Sequence, residues 1–85
     1  MRMSERMRAK LEAEFQPQHL EIIDESEQHR GHGGYREGGE SHFRVVMRAA
    51  SLAGKSRVAR QRAVYVCLKR ELEEQVHALA LDISE

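Results

Sequence analysis

The sequence contains few of the residues that crosslink a small domain or anchor it in a membrane. Cys67 is the only cysteine, so an internal disulfide is excluded and a reducing, cytoplasmic location is expected. No apolar run approaches the roughly 20 residues of a membrane span. A chain of 85 residues is also too short for two hydrophobic cores. We therefore expect a single domain over residues 1–85, with no membrane segment, and with Cys67 as a small buried residue on a helix.

Net charge is also absent, because 14 basic and 14 acidic residues cancel. Proteins whose whole surface binds nucleic acid are usually strongly basic, so this balance argues against that class. The charges are nevertheless unevenly placed. Residues 55–62 carry four cations and no acid, namely Lys55, Arg57, Arg60 and Arg62. This run is the candidate surface for a nucleic-acid contact.

Two helices are predicted from apolar spacing. Met7, Leu11 and Phe15 recur at near-helical intervals, which predicts a helix from about residue 4 to 16, ended by Pro17 and capped by Ser4. A longer helix, with Ser56 as its cap, is predicted to run to about residue 75. Its expected apolar stripe consists of Val58, Tyr65, Leu68 and Leu72, supplemented by Val64 or Cys67.

Three strands are predicted from residues that alternate between apolar and polar, over 19–26, 41–49 and 76–83. The first two form an antiparallel pair, while the helical crossover to the third gives a parallel pairing. The order is α-β-β-α-β, and the second helix is open to a break into two. The sequence therefore predicts an α+β domain with a three-stranded mixed sheet and helices packed on one face.

A glycine-rich segment separates the first two strands. Residues 27–40 read EQHRGHGGYREGGE, in which five of fourteen positions are glycine and no periodicity is present. Connections longer than about a dozen residues are usually functional or disordered. We expect a long, flexible hairpin loop, and both a functional and a disordered segment stay open.

Five histidines invite a metal hypothesis, although no spacing matches a zinc signature. His29 and His32, three positions apart in the loop, suit a metal, but hydrated loop side chains are the simpler interpretation. His77 begins a strand of aliphatic residues, where a ligand and a hydrogen-bonded rim histidine are about equally consistent with the pattern. His42 is expected on the hydrated face of the sheet among arginines, and His19 at an exposed strand start.

Catalytic patterns are missing. No serine lies in the glycine frame of a nucleophile elbow, and the glycine-rich loop lacks the Lys-Ser/Thr ending of a phosphate-binding loop. The GKSR run at residues 54–57 would suit an anion, but a capped helix with a basic first turn explains it as well. We therefore expect no enzymatic activity.

Four segments, in this order and spacing, resemble the BolA family. They are LEIIDES at 20–26, GESHFRVV at 39–46, GKS at 54–56 with RQR at 60–62, and VHALAL at 76–81. The resemblance spans nearly the whole chain. It departs from the family at Gln61, where an Arg-His-Arg run is common, and in the length of the loop between the first two strands.

The resemblance implies a class II KH-like fold without the GXXG loop that KH domains use on RNA. It also implies a partner, a monothiol CGFS-type glutaredoxin, and a [2Fe–2S] cluster bridged by the glutaredoxin cysteine, glutathione and ligands of the BolA protein. The family histidine of the VHALAL segment corresponds to His77. The second ligand falls on His29 by counting from residues 24–26, but the longer loop makes His32 a competitor. Alone, the chain is expected to hold no stable cluster.

Two functions of different classes stay open. The first is an adaptor that acts in iron–sulfur cluster handling or in iron, redox and stress regulation. The second is a transcriptional regulator that contacts DNA through Lys55, Arg57, Arg60 and Arg62. Zero net charge and only four aromatic residues favour the adaptor. Weak homodimerisation stays open as well.

Overall fold

The structure, a computed structural model, describes residues 2–26, 39 and 41–85. The elements, in chain order, are α1 (Met3–Phe15), β1 (His19–Asp24), β2 (His42–Arg48), a 3-10 turn (Ala50–Leu52), α2 (Arg57–Cys67), α3 (Lys69–Glu74) and β3 (Ala78–Ser84). This order confirms the predicted α-β-β-α-β arrangement, with the second helix divided in two. The division lies at Leu68, whose backbone leaves helical geometry at φ −102° and ψ 18°.

The three strands form one mixed sheet in the order β1-β2-β3. β1 runs antiparallel to β2, and β2 runs parallel to β3. The register pairs Ile22 with Val45, and Val45 with Leu81, so one apolar column crosses the sheet. The predicted mixed sheet is confirmed, and its central strand is the one with the cleanest alternation in the sequence.

The core lies between the helices and one face of the sheet. Its buried apolar side chains come mainly from α1 and β2: Met3, Met7, Leu11, Phe15, Phe43, Val45, Met47, Ala49, Leu52, Val64, Leu68 and Val76. The other face carries exposed residues such as Ile23 and Arg44. Helices on one face of the sheet were predicted, and the structure confirms them. No helix in the described ranges has the length and hydropathy to span a bilayer.

The ends of the elements differ from the prediction where side chains bind the backbone. Asp24 Oδ1 accepts the Ser26 N–H at 2.9 Å, which turns the chain and ends β1 two residues early. At the start of α1 the predicted Ser4 cap is wrong, because the helix already begins at Met3 with Arg2 as its N-cap. The Ser56 cap is confirmed by the Ala59 N–H, which donates to Ser56 Oγ at 3.1 Å.

The buried face of the second helical region is only partly the predicted one, since Leu72 and Cys67 also pack against the core. Val64 and Leu68 are buried as expected, but Val58 and Tyr65 are 62% and 42% exposed. The small side chain of Ala63 packs against the core instead. The Tyr65 hydroxyl donates to Leu79 O at 3.1 Å, so a polar contact at the edge of β3 holds the ring near solvent.

An ion cluster joins α1 to α3. Glu71 is fully buried; Lys10 Nζ lies 3.0 Å from its Oε1 and 2.8 Å from its Oε2, and Arg6 Nη2 lies 3.0 Å from Oε2. Burial alone would raise the pKa of the Glu71 carboxyl. The hydrogen bond from Lys10 and the charges of Lys10 and Arg6 outweigh it, so the pKa lies below its ordinary value.

Candidate functional site

His77 is an exposed side chain on a fixed stretch of backbone. It lies between α3 and β3, one residue before the strand. Its N–H donates to Ser41 O at 2.7 Å, and the Ala78 N–H donates to the same oxygen at 3.2 Å. The preceding Val76 is buried, and its N–H donates to Glu71 O at 2.9 Å. The backbone of His77 is therefore tied on both sides while its imidazole faces solvent.

The hollow beside His77 is open and polar. It has a volume of about 540 Å³ and is lined by Ser41, His77 and residues 72–76. Glu73 and Glu74 bring carboxylates to its wall. Such an open, acidic rim is unlike the enclosed apolar pocket that usually binds a small organic molecule. It suits contact with another macromolecule instead.

A buried polar cluster lies behind His77, at the base of the loop. Its members are Ser26, Ser41 and His42, all at most 3% exposed. Ser26 Oγ accepts the Ser41 N–H at 3.1 Å and the His42 N–H at 3.2 Å, and lies 3.4 Å from Ser41 Oγ. Ser41 Oγ is in turn 2.8 Å from His42 Nδ1. The two hydroxyls thus join the end of β1 to the start of β2.

Gly39 fixes the other end of the same loop. Its φ of 81° is in the left-handed region that favours glycine, and a Cβ placed there would lie 3.0 Å from Asp24 Oδ2. His29 and His32 lie outside the described residues. The two residues that flank their segment, Ser26 and Gly39, nevertheless both lie near the end of β1. A Cβ on Gly39 would lie 3.8 Å from Ser26 Cβ.

The position of His42 corrects the sequence-based prediction. It was expected on the hydrated face among arginines, yet it is 3% exposed, and its ring centroid lies 5.3 Å from that of His77. The serine hydroxyls and the His77 ring cover it, because β2 begins where the loop returns to the sheet. Aligning the alternation of Phe43 with that of Leu79 would have placed His42 opposite Ala78, next to His77.

The single thiol lies elsewhere. Cys67 is half-buried on α2, and its Sγ donates to Lys10 O at 3.6 Å on the side that faces α1. Burial, followed by the charge of Glu14, raises the pKa of the thiol. The part of the chain that the structure describes contains no group of three histidine, cysteine or acidic residues placed to hold a metal. A metal at His77 would therefore need donors from the loop or from another molecule.

The four candidate cations do not form one patch. Lys55, Arg57 and Arg62 are exposed, as a nucleic-acid contact requires. Arg60 is turned away, with its Nη2 3.6 Å from Glu85 and 19% of its side chain exposed. Among the described residues, its Nε is buried without a hydrogen-bond partner. At most three of the four are therefore presented to solvent.

Comparisons with known proteins agree over most of the chain. A family model described as BolA-like protein matches residues 11–85. The chain is 43% identical over 81 residues to the DNA-binding transcriptional regulator BolA of Escherichia coli K12, covering 95% of this chain and 73% of that protein. That relative is named as a regulator and not as an enzyme.

Solved structures show the same fold. The structure of BolA1 from Arabidopsis thaliana matches with a TM-score of 0.86 at 34% identity, over 99% of this chain and 92% of that one. The BolA domain of SufE1 from the same plant matches with a TM-score of 0.84 at 40% identity, over 94% and 87%. In both comparisons the shared region includes nearly all of the described elements.

Proposed function

The chain belongs to the BolA family, and on this basis we propose that it is an adaptor that binds a monothiol, CGFS-type glutaredoxin. In the complex it supplies histidine to a bridging [2Fe–2S] cluster. The observation that carries the proposal is the geometry of His77. Its imidazole is exposed, while its backbone N–H donates to Ser41 O at 2.7 Å. A donor held this way loses little conformational entropy when it binds a metal that another protein brings.

The donors at this rim fit such a shared cluster. Imidazole is a suitable ligand for iron, and its replacement of thiolate raises the potential of a [2Fe–2S] cluster. This chain would contribute His77 and either His29 or His32, and the glutaredoxin cysteine and glutathione would complete the set. Cys67 has no part in it, because its Sγ faces Lys10 on α1.

The buried cluster of Ser26, Ser41 and His42 supports the same role. Ser41 accepts the backbone N–H of His77 through its carbonyl, while its hydroxyl contacts His42 Nδ1. One residue therefore connects the base of the loop to the backbone of the exposed histidine. In the proposed complex, this connection would hold the two ligand-bearing segments at one edge of the domain.

The test is anaerobic cluster reconstitution with a CGFS glutaredoxin and glutathione, followed by visible circular dichroism. His77→Ala is expected to abolish the spectrum of the mixed complex and to leave the fold intact, since the side chain is exposed. His19→Ala is the matched control, because His19 is also exposed but lies beside Arg48, at the opposite end of the sheet. A wild-type spectrum in His77→Ala would refute the ligand assignment. Far-UV dichroism and thermal melts check folding.

A second candidate function is regulation through DNA. It is favoured by the name of the Escherichia coli relative and by the exposure of Lys55, Arg57 and Arg62. Three phosphate contacts would give a slope of log affinity against log salt of about −3. Weak binding with such a slope is expected if DNA is a secondary ligand. Nanomolar, sequence-specific binding at physiological salt would instead make regulation the primary function.

A further inference from the structure

The outer face of α2 is apolar, although it faces solvent. Val58, Tyr65 and Val66 are 62%, 42% and 69% exposed, and they are three of the four large apolar side chains exposed in the described part of the chain. Positions 58, 61, 62, 65 and 66 recur at helical intervals on one stripe. Because Val64 of the same helix is buried in the core, α2 carries apolar side chains on a second side as well. Exposed apolar patches of this kind mark interaction sites.

The stripe forms a groove with a defined shape. The groove has a volume of about 370 Å³ and is lined by Val58, Gln61, Arg62, Tyr65, Val66 and Lys69. The Tyr65 ring is fixed, because its hydroxyl donates to Leu79 O at 3.1 Å. A fixed tyrosine loses little conformational freedom on binding, and tyrosine is enriched among the residues that dominate interface energies.

The charge around the groove has one sign. Residues 55–70 contain six cations and no acid. Two of the cations, Arg62 and Lys69, line the groove itself. Glu14 of α1 lines an adjacent hollow together with Val66, but none of the residues that line the groove is acidic. The groove therefore offers an apolar floor between cationic walls.

We propose that this face of α2 is a docking surface for an amphipathic helix of a partner protein whose apolar ridge is flanked by carboxylates. The ridge would cover Val58, Tyr65 and Val66, and the carboxylates would pair with Arg62 and Lys69. A second copy of this chain fits poorly, because two such faces would bring Arg62 and Lys69 together with their own counterparts. Nucleic acid fits poorly as well, because its phosphates gain nothing from the two exposed valines.

This surface is separate from the His77 rim. The two hollows share no lining residue. The inference therefore does not depend on the proposed cluster function, and a partner on α2 would leave His77 exposed. A chain with both surfaces occupied would join two proteins, one at His77 and one on α2.

A designed helical peptide tests the proposal, with leucines at i, i+4, i+7 and i+8 and glutamates on both flanks. Titrated into the full chain, it should shift the amide resonances of residues 58–69 in ¹H–¹⁵N NMR spectra. Val66→Ser should weaken binding about tenfold. It should leave the fold intact, since valine and serine have similar helix propensities. Ile23→Ser is the matched control on the open sheet face, with no effect on binding expected.

Charge is tested by a second pair of variants. Arg62→Glu should weaken peptide binding at least tenfold at low salt, and the effect should shrink as salt screens the pair. Arg57→Glu makes the same change in net charge outside the groove and should change the affinity less than threefold. A peptide with lysines in place of the glutamates should not bind.

Four results would overturn the proposal. The first is failure of the acidic peptide to bind at millimolar concentration, and the second is unchanged binding to Val66→Ser. The third is binding of duplex DNA that shifts the same amide resonances and is weakened to the same degree by Val66→Ser, which would make the groove a nucleic-acid interface. The fourth is concentration-dependent dimerisation that Val66→Ser abolishes, which would make the occupant a second copy.

Discussion

Replacing Glu71 with glutamine removes one charge and almost no volume from the contact between α1 and α3. The carboxylate is fully buried, and Lys10 and Arg6 contact it at 2.8–3.0 Å. Hydrogen bonds to charged groups are worth about 1.5–3 kcal/mol each. The glutamine side chain keeps one acceptor oxygen, but its NH₂ group then faces a cation. The partners reach solvent and recover part of the loss by hydration, so we expect Glu71→Gln to lower the free energy of unfolding by about 2 kcal/mol.

Urea denaturation at pH 7, followed by far-UV circular dichroism, measures this change. For a domain of this size, about 2 kcal/mol corresponds to a fall in Tm of roughly 8–16 °C. Glu74→Gln is the matched control, because Glu74 also pairs with Arg6, at 3.1 Å, but is exposed. It should shift the unfolding midpoint little. Equal effects of the two variants would show that burial of the Glu71 carboxylate contributes nothing, and the reasoning would be refuted.

The effect of Glu71→Gln should also depend on pH. The pKa of Glu71 is lowered in the folded chain, so its carboxylate stabilises the fold fully above the ordinary glutamate pKa of about 4.3. That stabilisation is lost as pH falls through the folded pKa. The difference between wild type and Glu71→Gln should therefore shrink below about pH 4 and vanish in stronger acid. A difference that persists in strong acid would point to packing and not to charge.

Three further predictions concern the loop and the thiol. His29→Ala and His32→Ala should each alter the visible circular dichroism of the proposed glutaredoxin complex only partly, and the double variant should match His77→Ala. A double variant with the wild-type spectrum would place the second ligand outside the loop. Ser26→Ala should destabilise the domain by about 2–4 kcal/mol in urea, because two buried N–H donors lose their acceptor. Cys67 should react with iodoacetamide at pH 7.5 more slowly than a free thiol, because burial raises its pKa.

The order of elements could be predicted because each has a strong local signal. The spacing of Met7, Leu11 and Phe15 is satisfied by one helix against one sheet, and all three are buried. The alternation over residues 41–49 predicted β2 for the same reason, although its central place in the sheet was not predicted. Apolar spacing does not show which face of a helix is buried when two faces carry equally regular apolar residues. On α2 the stripe through Val58 and Tyr65 is as regular as the one that is buried, and only the packed sheet decides between them.

The candidate site was less accessible to sequence reasoning. The rim position of His77 was predicted from the aliphatic strand that it was expected to begin, although β3 starts one residue later, at Ala78. The burial of His42 depends on hydroxyls of Ser26 and Ser41, and the alternation of apolar residues in the sequence does not predict such contacts. Glu71 is a stronger case, because its cationic partners lie on a helix more than 60 residues earlier in the chain. A buried acid in a charged stretch looks like a solvated one until its distant partners are known.

Hydrogen bonds close the base of the loop between β1 and β2, so the stability of the domain depends little on the length of that loop. Ser26 Oγ accepts the N–H groups of Ser41 and His42, so the strands are joined before the intervening segment contributes anything. Closing a loop of twice the length costs only about 0.6 kcal/mol more. Residues can therefore be inserted, deleted or exchanged between Ser26 and Gly39 at small thermodynamic cost. Evolution can therefore alter the side chains between these two residues without redesigning the core.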